Sequence, residues 1–196
     1  MTSTWCQVLK TLLVVGIPAA GLLAGFYFFG QLPERQAIER RIGNGVKSLN
    51  QRYLGYNADD AQKYWQLLSG SHAAKRDDLR PNERYMLRLD LAFPFVYGGA
   101  FAIALLLAWS SSQWSFNPVW LLLPVFVMVC ADWTENLVQL SQLSRLNEYG
   151  EGQLSRLWIG IASTATVLKL ATVGICSLLV IGSAGYMVTR LFVRSP

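Results

Sequence analysis

Charged residues avoid two long stretches of the chain: residues 11–30 and 91–118 contain no Asp, Glu, Lys or Arg. An uncharged, mostly apolar run of about 18 or more residues is long enough to cross a bilayer core. Residues 11–30 therefore predict a first membrane span. It is longer than the apolar part of a cleaved signal peptide, so it reads as a retained anchor. The same reasoning predicts further spans over residues 90–109, 119–138 and 169–189. A short uncharged turn joins the second span to the third, and Trp109, Trp114, Phe116 and Trp120 cluster around it as interfacial aromatic residues do. The expected fold is all-α: a polytopic four-helix transmembrane bundle in one membrane domain, residues 1–196, with both termini on the side of that turn.

Residues 31–88, between the first two spans, carry a different pattern. Pro33 followed by Glu34 suits a helix start. Ile38, Ile42, Val46, Leu49 and Tyr53 follow at helical spacing, interrupted by Gly43 and Gly45. Asn57 with Asp60 has the form of an N-cap and first turn, and Ala61, Tyr64, Trp65 and Leu68 give the next helix an apolar stripe. Residues 70–78 read as a loop, after which Pro81 restarts a helix expected to run straight into the second span. This extramembrane segment is read as a small helical cap on the membrane surface. The alternative is a solvated connector that only spaces two spans.

Composition sharpens the class. Hydrophobic residues make up 53% of the chain and charged residues 15%, where about 25% charged is usual for a soluble domain. A soluble globular enzyme, a secreted disulfide scaffold and a disordered tail are excluded. The net charge of +5 comes from basic residues dispersed among acidic ones, which gives no footprint for nucleic acid. Thirteen Lys and Arg fall on the face that carries the 31–88 segment, against Lys10, Arg190 and Arg194 on the other. The positive-inside rule would make the first face cytoplasmic, but the length of that segment and Lys10 argue against it, so orientation stays open. Cys6, Cys130 and Cys176 have neither disulfide nor zinc spacing, and the last two read as small buried hydrophobes.

In the first span Gly21 and Gly25 form a G-x-x-x-G, extended by Gly16, Ala20 and Ala24, and Pro18 predicts a kink. Such a face suits close helix packing and would offer a surface to a protein partner or a second copy of the chain.

The informative residues are charges inside apolar segments. In the third span Asp132, Glu135, Asn136 and Gln139 recur at i, i+3, i+4 and i+7, on one side of one helix. Counted from Val119, Asp132 lies about 20 Å along the helix and Glu135 about 24 Å. Ionisable groups at that depth face the bundle interior or a water-filled cavity. Gln142 falls at the edge of the stripe and Leu143 ends it. Asp90 should sit at the same level on the neighbouring span, with Tyr97 on its side of the helix and reaching toward Asp132. Lys169 interrupts an otherwise uncharged stretch and shares a face with Thr166. Asp90, Tyr97, Asp132, Glu135, Asn136 and Lys169 are thus expected to converge. Lys169 should pair with Asp132 or Glu135, and Asp90 should close the cluster toward water. Three carboxylates against one ammonium leave a surplus of negative charge, which suits a proton or a cationic ligand. The plainer reading is that the cluster only fastens helices together.

These positions carry a resemblance. The run 90–98 with Asp90, Pro94, Tyr97 and Gly98, then Asp132-Trp133-Thr134-Glu135-Asn136, then Thr166-Val167-Leu168-Lys169, resembles a pattern in uncharacterised four-helix bacterial membrane proteins. The resemblance covers the C-terminal half and implies a four-helix fold, a place in a bacterial inner membrane and one shared unit for these positions. It implies no reaction. In architecture alone the chain is similar to emopamil-binding-type sterol isomerases, whose motifs do not occur in it.

No H-E-x-x-H, P-loop or G-x-S-x-G motif occurs, and His72, the single histidine, falls in the predicted loop. No metal or cofactor site is suggested. Thr166 activated by Lys169 is conceivable as a nucleophile, and Asp132 with Glu135 as an acid–base pair or as ligands of a hard cation. Three functions stay in play: an accessory or structural membrane subunit; a protein that binds or transports a proton, cation or small lipid-like molecule; and an intramembrane acid–base enzyme acting on a lipid or isoprenoid.

Overall fold

A computed structural model of the protein describes residues 2–42, 47–49, 52–69, 78–112, 114–146 and 152–193. Seven helices follow in chain order: α1 (Thr2–Gln31), α2 (Pro33–Ile42), α3 (Ala58–Leu68), α4 (Arg80–Asp90), α5 (Phe93–Ser112), α6 (Val119–Leu143) and α7 (Arg156–Val193). Four segments are long and apolar enough to cross a membrane: α1, α4 with α5, α6 and α7. Bundle and interspan helices stand as the hydrophobic pattern predicts.

Two apolar cores organise the chain. The bundle core gathers Val14 of α1, Phe101 and Leu105 of α5, Met128 of α6, and Cys176 and Val180 of α7. The cap core joins Ile38, Leu49, Tyr64, Trp65 and Leu68 to Leu87 of α4, Val138 and Leu143 of α6, and Ile159 and Ala162 of α7. The segment between the first two spans is therefore a packed cap and not a free connector. Asn57 caps α3 through a capping box: its side chain accepts from the Asp60 N–H, and the Asp60 carboxylate accepts from the Asn57 N–H. Two orphan donors are thereby satisfied, and the expected stripe of Ala61, Tyr64, Trp65 and Leu68 is buried. The cap docks on α7 where Gly55, with φ of +89°, brings the backbone against Ser163, whose hydroxyl oxygen accepts from the Tyr56 N–H at 2.8 Å. A Cβ at Gly55 would lie 2.5 Å from that oxygen, so both the backbone angle and the close approach require glycine there.

Four expectations are corrected. The helix of the Ile38 stripe does not reach Tyr53: α2 ends at Ile42, and Tyr53 lies exposed in a turn after Leu49. Val46 and the two glycines, Gly43 and Gly45, lie outside the described residues, as do His72 and most of the predicted 70–78 loop. Second, α4 does not run unbroken into the span. Pro94 lacks the N–H that would bond the Asp90 carbonyl, and its ring would clash with it, so the chain turns at Leu91–Ala92 through i to i−3 bonds. The Leu91 carbonyl freed there accepts from the Trp133 indole N–H at 2.9 Å. Third, the helix that holds the predicted 169–189 span is longer than that span: it starts at Arg156, and its first turns carry Ile159 and Ala162 into the cap core. Fourth, the Gly21 and Gly25 face is not left open. A Cβ at Gly21 would lie 3.3 Å from Ala100 and one at Gly25 would run into the Phe93 ring, so α5 already occupies it.

Candidate functional site

The polar residues of α6 lie between the two cores, where α4, α5, α7 and the cap loop all reach it. Asp132, Glu135, Asn136 and Gln139 are each at most 3% exposed. Three antiparallel elements supply their partners. From α7, the Lys169 ammonium lies 3.0 Å from Asp132 Oδ1 and 2.5 Å from Glu135 Oε2, so it pairs with both carboxylates and not with one. One turn earlier the Thr166 hydroxyl donates to Glu135 Oε1 at 2.6 Å. From α5, the Tyr97 hydroxyl donates to Asp132 Oδ2 at 2.5 Å. Close approach of α5 to α6 is set by Gly98, where a Cβ would meet Val129 at 2.6 Å.

Asn136 ties the inner pair to the rim. Its amide nitrogen donates to Asp132 Oδ1 and to Asp90 Oδ2, both at 3.2 Å, and Asp90 at the end of α4 is partly exposed. All six residues singled out from the sequence are thus brought together, with Asp90 at the edge. The fixed register follows from the spacing: Glu135 faces Thr166 and Asp132 faces Lys169, three residues further along each of two antiparallel helices.

Two further members enlarge the site. Gln139, on the α6 stripe, donates to Glu135 Oε1 at 3.2 Å and to the Tyr56 hydroxyl at 2.8 Å. Tyr56 is in the cap loop, 83 residues from Gln139, and nothing in its local pattern signals that contact. Burial, with Glu135 adding to it, pushes the Tyr56 phenol above its ordinary value of 10.0, so it stays neutral. Thr166, expected on the Lys169 face and as a conceivable nucleophile, also joins the cluster. Its hydroxyl lies within hydrogen-bond reach of Glu135 and of the Ala162 carbonyl.

The arrangement is dense. Each inner carboxylate accepts from an ammonium and from two neutral donors, and Asn136 Oδ1 is a buried acceptor without a hydrogen bond. Among the described residues no three His, Cys, Asp or Glu side chains are grouped to hold a metal ion. A groove between α6 and α7 is lined by Ala131 and Thr134 beside the cluster, and not by Asp132, Glu135 or Lys169. Comparison of the chain with protein families, curated proteins and solved structures returns no match.

Proposed function

We propose that the chain serves as a structural or accessory membrane subunit in which the buried Asp/Glu/Lys cluster is a polar clasp. The observation that carries this reading is saturation: Lys169 is held by Asp132 Oδ1, which also accepts from Asn136, and by Glu135 Oε2, while the other two oxygens accept from Tyr97, Thr166 and Gln139. A site built to turn over a substrate leaves reacting atoms open to a cavity, whereas this one spends them on each other. In a bilayer the clasp would satisfy groups that have no water to turn to, and it would join α4, α5, α6, α7 and the cap at one level. With Gly21 and Gly25 used inside the bundle, the glycines and alanines left outward on α1 are Gly16, Ala19, Ala20, Ala24 and Gly30. α1 is also the least covered span, 17% buried over its apolar window, which leaves it free to pack laterally.

A second reading rests on the surplus of two carboxylates over ammonium and on the unbonded Asn136 Oδ1: the cluster holds a proton or a small cation and exchanges it. Reconstitution of the purified chain in vesicles separates the two. The clasp reading expects no proton or cation flux under an imposed gradient, with wild type and Asp132→Asn alike. Flux that vanishes in Asp132→Asn overturns it. The native mass in mild detergent should exceed the 21.9 kDa of one chain and fall in Ala20→Trp. A wild-type monomer under those conditions overturns the subunit reading.

A further inference from the structure

α6 and α7 leave a groove of about 650 Å³ on the outside of the bundle, walled by Phe126, Cys130 and Thr134 on one side and Leu157, Ile161 and Leu168 on the other. Its walls are apolar in effect, because the Thr134 and Thr164 hydroxyls are turned onto their own helices, donating to the Cys130 and Gly160 carbonyls at 2.8 and 2.9 Å. Arg156 stands at the cap-side end. From Arg156 to Leu168 the groove runs for about 18 Å along α7. Its inner half lies in the hydrocarbon leaflet, which is about 15 Å deep, and its outer half in the interfacial layer.

The level of Arg156 fits as well. A hydrocarbon slab of about 30 Å counted from Val119 ends near Gln139. The facing pairs Glu135–Thr166 and Asp132–Lys169 put Ala162 of α7 at that height. The Arg156 backbone is about 9 Å further out, at the outer edge of the headgroup layer, so that its long side chain can reach back to the phosphates. Next to it, Leu157 and Trp158 are 71% and 47% exposed, an apolar and an interfacial side chain turned outward.

Arg156 also borders a second hollow, of about 380 Å³, whose wall includes Asp59 in the first turn of α3. Among the described residues neither the Arg156 guanidinium nor the Asp59 carboxylate has a hydrogen-bond or ion-pair partner. From the bundle middle outward the order is apolar groove, cation, anion. We propose that this site holds one glycerophospholipid, its acyl chain between α6 and α7, its phosphate on Arg156 and a headgroup ammonium turned toward Asp59. Guanidinium is the side chain best matched to a phosphate oxygen pair, and a primary ammonium can donate to a carboxylate where a glycerol headgroup brings no charge.

The test is native mass spectrometry of the full chain released from detergent and titrated with phosphatidylethanolamine, phosphatidylglycerol or phosphatidylcholine. Wild type should take up one phosphatidylethanolamine in preference to the other two. Arg156→Gln should weaken that adduct about fivefold, the effect of one exposed charge pair. Asp59→Asn should remove the preference over phosphatidylglycerol while leaving an adduct. Thr164→Trp, which fills the groove and keeps both charges, should abolish binding of all three. Far-UV circular dichroism checks that each variant is folded. Phosphatidylglycerol bound as tightly as phosphatidylethanolamine by wild type, or adducts unchanged in Arg156→Gln and Thr164→Trp, would overturn the proposal.

Discussion

Replacing Lys169 by Met removes the only cation from the clasp while keeping most of the side-chain volume. Asp132 would keep its bonds from Tyr97 and Asn136, and Glu135 those from Thr166 and Gln139. Lost hydrogen bonds alone would therefore cost little: two contacts at about 0.6 kcal/mol each, the average for side-chain bonds between membrane helices, amount to about 1 kcal/mol. Breaking a buried ion pair by deleting one partner costs more, about 3–5 kcal/mol, because it strands a charge. Here it strands two carboxylates that had shared one ammonium at 3.0 and 2.5 Å. The expected loss is thus about 3–5 kcal/mol, and a triple replacement Asp132→Asn, Glu135→Gln, Lys169→Met should recover to within about 1–2 kcal/mol of wild type. Reversible unfolding in mixed micelles, titrated with sodium dodecyl sulfate and followed by far-UV circular dichroism, measures both. A single variant within 1 kcal/mol of wild type, or a triple variant no better than the single, refutes the argument that stranded charge and not lost contacts sets the cost. If Lys169→Met yields no folded protein, Asp132→Asn keeps the Glu135 pair and should lose about 1–2 kcal/mol in the same assay.

Other outcomes follow from the packing. Gly25→Ala must push the Phe93 ring aside and should cost about 1–3 kcal/mol by the same titration, whereas Gly16→Ala meets open space and should be neutral. Asn57→Ala breaks the capping box of α3 and should cost about 1 kcal/mol, against about 3–5 kcal/mol for Trp65→Ala in the fully buried cap core. Protease sensitivity of the cap reports both. Partial burial raises the Asp78 carboxyl, but the hydrogen bonds and charge of Arg80, with Arg84 beyond, outweigh it and hold the group below its ordinary 3.8. A depressed folded value means that its stabilisation is present above the unfolded value and is lost as pH falls through the folded one. Unfolding midpoints measured from pH 6 down to pH 2 should therefore fall less steeply in Asp78→Asn than in wild type, and equal slopes would contradict it.

The local chemistry of this protein was readable residue by residue. Charge-free stretches located α1 and α5, and long apolar runs around a few charges located α6 and α7, because crossing a bilayer core takes about 18 or more mostly apolar residues. Asn57 and Asp60 announced the start of α3, since a capping box involves residues three apart and needs no tertiary partner. The α6 stripe declared its own burial, and its spacing against Lys169 and Asp90 placed the cluster at one height. All of these are short-range or periodic signals.

What the chain left open was decided at long range. The two glycines of α1 could have served a partner; Ala100 and the Phe93 ring took that face, and only the neighbour's side chains determine which. The break before Pro94 was not anticipated from the sequence, and in the fold the Trp133 indole satisfies the Leu91 carbonyl that the break frees. Tyr56 joins the cluster across 83 residues through a loop bent by Gly55, a contact that no periodicity encodes. Which helices would carry polar groups is a property of single segments, written in their own spacing. Which groups would then meet, and how completely they would satisfy one another, depends on packing distances of a few tenths of an ångström between segments remote in the chain, and only the assembled bundle sets those.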